Sequence, residues 1–224
     1  MAESLDSTFL FADLAGFTAL TEAHGDEDAA ELAAGYFESV RALLPAHRSE
    51  EIKEIGDELM LRCQHAADGV RLALTIVHEV GSRPDFPSVR VGLDTGPAIE
   101  RNGDWFGSTV NRAARIAGLA RGGEILLSQS TKDAAGPVPG IDFRERGRHQ
   151  LKNIRDPVVL HAAVPIGQST EAPLPIDPVC RMAVDPAQGA GTLIHEGHAY
   201  YFCSLRCAQA FASDPARYVA QAGR

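Results

Sequence analysis

The sequence predicts an α+β protein with two parts, a larger domain in which strands and helices alternate and a small cysteine-containing ββα domain. Three observations lead to this prediction. Over residues 1–165, short apolar runs typical of strands alternate with longer segments of helical periodicity. A proline-rich stretch, 166–175, is typical of a semi-rigid linker. Three of the four cysteines then lie in the remaining segment, 176–224.

The first predicted elements are a strand, a long helix and a hairpin. Ser7–Asp13 is a short apolar run typical of a buried strand, and Thr18–Leu44 carries apolar residues at helical spacing. Strands Glu51–Ile55 and Glu58–Cys63 flank Gly56-Asp57, a dipeptide that favours a tight turn. Cys63 ends its strand, so we expect it in the core.

The later elements continue the alternation. Helices are predicted over Ala67–Val80 and Ser108–Leu119, and strands over Ser88–Leu93, Glu124–Ser128 and Val158–Ala162. A hairpin mixed with helices indicates a sheet with helices on one face.

Charge and hydropathy exclude several classes of function. The formal net charge of −9 argues against non-specific nucleic-acid binding, which requires a basic surface. No apolar run approaches the roughly 20 residues that span a bilayer, and the acidic N-terminus is not typical of a secretory signal. We therefore expect a cytoplasmic protein with neither nucleic acid nor membrane as a partner.

Two aspartates lie at the ends of predicted strands. Asp13 ends the first strand, and Asp57 lies at the tip of the hairpin. If these strands are neighbours, both carboxylates project from one edge of the sheet, where they could hold Mg²⁺. For either residue alone, an ordinary turn aspartate is the commoner explanation.

Four further polar residues share faces of predicted elements. A period of two places Lys53 on the same face as Asp57, and Asp104 lies in a turn-rich segment. Asn111 and Arg115 are four positions apart on a predicted helix and share one face. Taken separately, a simple ion pair is the ordinary explanation for Lys53, and a solvated helix face is the commoner explanation for Asn111 and Arg115.

The segments FADLAGFTALTE, KEIGDELM and GDWFGSTVNRAARI resemble, in order and spacing, the catalytic domain of class III nucleotidyl cyclases. The resemblance continues through GGEILLSQST and GRHQLKNIRDPVVL, so it covers nearly all of residues 6–163. It implies a ferredoxin-like βαββαβ domain that converts ATP to 3′,5′-cyclic AMP and pyrophosphate at a homodimer interface. It also implies two Mg²⁺ or Mn²⁺ ions per site, held by Asp13 and Asp57 with the backbone carbonyl of Leu14 as a further ligand.

The same resemblance implies roles for five other residues. Arg115 matches the arginine that stabilises the transition state, Asn111 the residue that orients the ribose, and Lys152 a lysine that binds phosphate. Lys53 and Asp104 occupy the two purine-selecting positions. An ammonium donates to adenine N1 and a carboxylate accepts from its N6 amino group, so this polarity favours ATP over GTP. The aspartates of one chain would meet these residues of the other, so a monomer should be inactive.

The last segment groups its cysteines around a predicted helix that starts near Ser204. Cys203 and Cys207 lie at that helix start, where the helix dipole stabilises thiolate, and Cys180 could complete a three-thiolate set. His195 or His198 is a candidate fourth ligand of a Zn²⁺ or Cu⁺ site. Simple burial of small apolar residues is the alternative.

The segments DPVCRMAVDP, LIHEGHAYYFCSLRCAQAF and DPARYV resemble a YHS domain over about residues 176–219. That family is associated with heavy-metal handling, which implies transition-metal binding without specifying the ion. Our first hypothesis is an adenylate cyclase regulated by the metal or redox state of this segment. The alternatives are a non-catalytic nucleotide-binding regulator and a metal-handling protein that keeps the cyclase fold for dimerisation.

Overall fold

The computed structural model describes residues 5–84, 86–167 and 174–222, so most of the predicted linker, 168–173, lies outside the described residues. The larger part contains β1 Leu5–Leu14, α1 Phe17–His24, α2 Asp26–Leu43, β2 Ser49–Ile55, β3 Glu58–Cys63, α3 Ala66–Thr75, β4 Val89–Arg101, β5 Asp104–Phe106, α4 Ser108–Ala117, β6 Ile125–Ser128, α5 Gln129–Ala135, β7 Ile141–His149 and β8 Val158–Pro165. The C-terminal part contains β9 Gly191–His195, β10 His198–Phe202, α6 Leu205–Ser213 and α7 Pro215–Ala222. None of the helices described is both long enough and apolar enough to cross a membrane.

The large sheet has the strand order β2-β3-β1-β4-β6-β8-β7, and β5 pairs with β4. Its first four strands are antiparallel neighbours in the order β2-β3-β1-β4, which confirms the ferredoxin-like βαββαβ arrangement. The parallel pairing of β4 with β6 extends the sheet beyond this unit. Strand β1 therefore lies at the centre, with β3 and β4 on its two sides.

Helices cover both faces of this sheet, and the expectation of one covered face was wrong. Side chains alternate along β1, so Leu10 joins the core under α2 and α3, whereas Phe9 packs with Trp105 under α4. Helix α4 has an apolar stripe of its own that requires a second buried surface. It approaches the sheet so closely that a Cβ on Gly92 would lie 2.0 Å from the Ala117 nitrogen.

The segment predicted as one long helix forms two helices. Gly25 has φ 99°, a conformation that side-chain-bearing residues rarely adopt, and this residue separates α1 from α2. The break frees α1 to take its own direction, and His24 becomes its last residue. The strand β7 was missed because its sequence, IDFRERGRH, is dominated by charge, and its pairing with β8 determines its structure.

The C-terminal part packs on α1. Leu20 and Ala29 share one apolar cluster with Val179, Phe202 and Phe211. The backbone nitrogen of Ala183 also donates to the carbonyl of Phe86 at 2.9 Å. The ββα prediction for this part is confirmed, with α7 as an additional helix.

Candidate functional site

Strand register places Asp13 between two charged side chains. Its direct partner on β3 is Glu58, and its direct partner on β4 is Arg90. The Arg90 Nε donates to the Asp13 Oδ2 at 2.6 Å, and the Asp13 residue is only 8% exposed. The guanidinium therefore balances part of the carboxylate's charge. Sequence reasoning missed Glu58 and Arg90, because only the pairing of three strands brings them to Asp13.

Asp57 follows Gly56, which has φ 66° in the turn between β2 and β3. Burial, a hydrogen bond with the Asp13 carboxyl and the negative charge of that carboxyl together raise the pKa of Asp57 to about 7. Burial and the Asp13 charge likewise raise the pKa of Glu58 to about 7. Asp13 and Asp57 thus meet at one sheet edge, the arrangement that their positions predict.

We call Asp13, Asp57 and Glu58 the carboxylate cluster. Its oxygen donors and crowded negative charge fit a hard divalent cation such as Mg²⁺ or Mn²⁺. The Leu14 side chain is buried in the core and has no donor atom, so the backbone carbonyl is the ligand that this residue could contribute. Beneath the cluster, the hydroxyl of Tyr36 is buried without a hydrogen-bond partner among the described residues. Burial raises the pKa of Tyr36, and the three carboxylates raise it further.

Lys53 and Asp104 form an ion pair in which the lysine Nζ lies 2.5 Å from the Asp104 Oδ2. The two-residue turn Asn102-Gly103, with φ 54° and 79°, joins β4 to β5 and places Asp104 at the start of β5. Buried Trp105 anchors that strand, and its backbone nitrogen donates to the Asp104 Oδ1 at 2.8 Å. The hydrogen bond from Lys53 lowers the pKa of Asp104.

A bulge in β2 changes the alternation that the sequence suggested. The register shifts between Glu51 and Lys53, and Arg41 can therefore contact both Glu51 and Glu54. Lys53 still lies opposite Met60, on the face where Trp105 is buried. The Asn-Gly dipeptide could have predicted the β4–β5 hairpin from sequence, whereas the bulge carries no such signal.

Asn111 and Arg115 lie on the exposed face of α4, as their spacing predicts. Arg112, between them, turns inward, and its Nε donates to fully buried Asp94 at 2.7 Å. Ser128 also donates to that carboxylate, at 2.5 Å. Arg112 is therefore structural, while Arg115 keeps its guanidinium exposed.

One chain does not assemble these residues into a single site. Within the part of the chain that the structure describes, no hydrogen bond or ion pair joins the carboxylate cluster to the Lys53–Asp104 pair or to Asn111 and Arg115. Lys152 is exposed in the segment between β7 and β8. The polar residues predicted from sequence thus fall into separate groups.

A second cluster consists of Cys180, Cys203, Cys207 and His24, whose ligand atoms all lie within 4.8 Å of one another. The fourth member is a histidine of α1 and not His195 or His198, which the sequence suggested. His195 instead packs edge-on against Phe211, with ring centroids 6.0 Å apart. The Nδ1 of His198 lies 3.1 Å from the carbonyl of Glu196. We call these four residues the cysteine–histidine cluster.

Buried Asp177 organises the loops that carry the cysteines. Its carboxylate accepts hydrogen bonds from the backbone nitrogens of Val179 at 2.8 Å and Cys203 at 2.9 Å, and burial raises its pKa. Ser204 caps α6, and its Oγ accepts from the Cys207 nitrogen at 3.2 Å. Hydrogen bonds from Cys180 and Cys203 lower the pKa of the Cys207 thiol.

The fourth cysteine, Cys63, has a different environment. It is fully buried, and burial raises the pKa of its thiol to about 12. It is a core residue, as its position at a strand end predicts.

Comparison with known proteins identifies the two parts of the chain. Residues 2–163 match the family described as the adenylate and guanylate cyclase catalytic domain, and residues 176–222 match the YHS domain. A pH-sensitive adenylate cyclase of Mycobacterium tuberculosis is 39% identical over 156 residues, which are 68% of this chain and 39% of that protein. An adenylate cyclase of Streptomyces coelicolor is 33% identical over 117 residues, 52% of this chain and 31% of that protein. The chain therefore spans well under half the length of these relatives.

Solved structures show the same fold. An adenylate/guanylate cyclase/hydrolase from Silicibacter pomeroyi superimposes with a TM-score of 0.63 at 27% identity, covering 74% of this chain and 99% of that one. An adenylyl cyclase from P. aeruginosa gives a TM-score of 0.61 at 22% identity, covering 73% of this chain and 96% of that one. The chain therefore belongs to the adenylate and guanylate cyclase catalytic domain family and carries a YHS domain C-terminal to its cyclase domain.

Proposed function

We propose that this protein is an adenylate cyclase that converts ATP to 3′,5′-cyclic AMP and pyrophosphate at sites shared by two copies of the chain. The observation that carries the proposal is the half-exposed Lys53–Asp104 pair, in which Lys53 comes from β2 and Asp104 from the start of β5. It presents a donor and an acceptor side by side, as the N1 and N6 positions of adenine require. Relatives named adenylate cyclase support the same activity.

A homodimer would complete the site. A two-fold axis could bring the carboxylate cluster of one copy to Lys53, Asp104, Asn111 and Arg115 of the other, which gives two equivalent sites. Large apolar side chains are exposed beside the Lys53–Asp104 pair, namely Ile55 at 45%, Ile99 at 41% and Phe106 at 52%. Such a patch on a soluble domain is typical of a surface that a partner covers.

Each polar residue then has a defined task. Asp13 and Asp57, with the Leu14 carbonyl, would hold two Mg²⁺ or Mn²⁺ ions, which when bound activate the attacking ribose 3′-oxygen and brace the phosphates. Arg115 would stabilise the charge that develops on the α-phosphoryl oxygens, because its planar donors match them. Asn111 would orient the ribose, and Lys152 would bind phosphate. Arg90 would hold the Asp13 carboxylate in a fixed orientation before substrate arrives.

Base selection follows from hydrogen-bond complementarity. Guanine presents O6 as an acceptor and N1–H as a donor, so Asp104 and Lys53 would each face a group of the wrong polarity. Leaving a buried polar group unpaired costs about 1–3 kcal/mol. ATP should therefore be preferred to GTP.

We also propose that the C-terminal domain regulates the cyclase domain. It shares an apolar cluster with α1, the helix that follows the Asp13 strand. Its Arg181 side chain packs so closely on Gly16 that a Cβ there would lie 2.6 Å from the Arg181 Cγ. A change in the C-terminal domain could thus reach the turn between Asp13 and α1.

The shared site can be tested by mixing two inactive variants of the purified full chain. Asp57→Ala and Arg115→Ala should each abolish cyclic AMP formation from ATP with Mn²⁺ or Mg²⁺. In a mixture of equal amounts, half of the dimers would carry one intact site of two, so about a quarter of the wild-type activity should return. A wild type that makes no cyclic AMP would refute the activity, and active variants would refute the residue roles. Inactive variants that do not complement each other would refute the shared site.

A further inference from the structure

We propose that Cys180, Cys203, Cys207 and His24 bind one Zn²⁺ ion that clasps the C-terminal domain to helix α1. The three cysteines belong to the C-terminal domain, whereas His24 is the last residue of α1 in the cyclase domain. The metal site therefore lies between two domains, and neither domain alone supplies all four ligands.

The distances within the cluster fit a tetrahedral ion. Zn²⁺–sulfur bonds of about 2.3 Å imply sulfur–sulfur separations of about 3.8 Å around a tetrahedron. The Sγ of Cys203 lies 3.3 Å from that of Cys180 and 3.8 Å from that of Cys207. The Nε2 of His24 lies 3.6 Å from the Cys203 Sγ and 3.8 Å from the Cys207 Sγ. Four ligand atoms thus already surround a volume of the right size.

The donor set and its surroundings favour Zn²⁺ over a hard cation. Three thiolates and an imidazole form a closed, four-ligand site of the kind that stabilises structure. Buried Asp177 fixes the backbone at Cys180 and Cys203, so the ligands are held by a second layer of hydrogen bonds. A domain of about 50 residues also gains much of its stability from such a metal.

Charge around the site is consistent with three thiolates. A Zn²⁺ ion with three thiolates and a neutral histidine carries a net charge of about −1. Cys207 also lines a neighbouring cavity of about 680 Å³, together with Arg181, Arg206 and Arg217. Glu22 lines the same cavity and lies 3.8 Å from Arg217, so Arg181 and Arg206 supply the excess positive charge on this side of the site.

The clasp would fix α1 at both of its ends. The Zn²⁺ ligand His24 ends the helix, and Arg181 packs on Gly16, the residue just before its first turn. Metal binding should therefore slow amide hydrogen exchange in α1, a segment that carries only one of the four ligands. This effect does not require the chain to be catalytically active.

The test uses the full chain, reduced and freed of metal, and then titrated with Zn²⁺ or Co²⁺. We expect one equivalent to bind, Co²⁺ to show the absorption bands of a tetrahedral thiolate site, and hydrogen exchange in α1 to slow. His24→Ala should weaken Zn²⁺ binding by more than the roughly 10–100-fold that loss of an outer-shell partner costs. His24→Cys should restore it. His195→Ala, in the C-terminal domain but outside the cluster, is the matched control and should bind as wild type.

Several results would overturn the proposal. One is His24→Ala binding Zn²⁺ with wild-type affinity and the same Co²⁺ spectrum, which would place the metal within the C-terminal domain alone. Another is fully reduced protein that binds no stoichiometric Zn²⁺. Amide hydrogen exchange in α1 that is equally fast with and without bound metal would also contradict the clasp. Circular dichroism of the metal-free form would reveal whether His24→Ala fails to fold. In that case His24→Cys decides the question, because a Co²⁺ spectrum identical to that of the wild type would show that residue 24 does not bind the metal.

Discussion

The carboxylate cluster and the cysteine–histidine cluster differ in their donor atoms, their location and how complete they are within one chain. The first consists of oxygen donors at a sheet edge, and its proposed partners, Asn111 and Arg115, do not contact it within one chain. The second consists of sulfur and nitrogen donors, partly buried between two domains, and all four ligand atoms are already together. An open site can admit and release a substrate, whereas a closed one holds its ion and stabilises structure.

The difference also indicates what each site requires beyond a single domain. The carboxylate cluster requires a second copy of the chain if the shared site is correct. The cysteine–histidine cluster requires the second domain of the same chain. Predictions that perturb one region and leave the other intact can therefore separate catalysis from stability.

The largest expected effect is a reversal of base preference at the Lys53–Asp104 pair, which the proposed dimer brings to the carboxylate cluster of the other copy. Lys53→Glu combined with Asp104→Lys keeps an ion pair but exchanges donor and acceptor, which matches guanine. Two groups are mismatched at about 1–3 kcal/mol each, so kcat/KM for ATP should fall by about 30-fold to more than 10,000-fold, while that for GTP rises. Steady-state assays with both nucleotides measure this.

Zn²⁺ binding at the cysteine–histidine cluster should be unchanged in that double variant. The matched control is Glu145→Lys, which reverses an exposed charge on β7 and should keep the preference for ATP. A double variant that still prefers ATP as strongly as the wild type would show that this pair does not contact the base.

The second effect is a loss of stability in the closed site. At a Zn²⁺ concentration about 1,000 times Kd, binding stabilises the folded state by about 4 kcal/mol. For a chain of this size that corresponds to a Tm increase of about 8–16 °C. Cys203→Ser should remove most of the increase, as measured by scanning calorimetry with and without a chelator. Cys63→Ser serves as a contrast. It should lower the Tm of the metal-free protein by altering core packing, while the Tm increase on Zn²⁺ binding is retained.

The smallest effect concerns the pH dependence of the carboxylate cluster without metal. The folded-state pKa of Asp57 is raised to about 7, so its contribution to stability is greatest below about pH 4 and is lost as pH rises through 7. Asp57→Asn should therefore raise the Tm of the metal-free protein by a few degrees near pH 8 and by less near pH 5. Excess Mg²⁺ should stabilise the wild type more than this variant. Equal melting temperatures at all pH values would show that the crowded carboxylates carry no such cost.

Sequence patterns predicted most of the secondary structure, and the reasons for the exceptions are physical. Strand β1 and the β2–β3 hairpin follow from apolar runs and a turn dipeptide. The division between α1 and α2 depends on Gly25, which has φ 99°. The sequence does not show whether a glycine adopts such a φ or continues a helix. Strand β7 exists because β8 supplies its hydrogen bonds, which is a non-local effect.

By itself, the sequence determined the alternation of elements, the family of the larger part, and which residue types are available for chemistry at Asp13, Asp57, Lys53 and Asp104. Local spacing encodes these features. Only the tertiary structure decided that Arg90 and Glu58 flank Asp13, that α4 covers the second face of the sheet, and that His24 joins the cysteines. Those contacts join residues far apart in the chain, up to 183 positions for His24 and Cys207. They depend on strand register and domain packing, which no local pattern specifies.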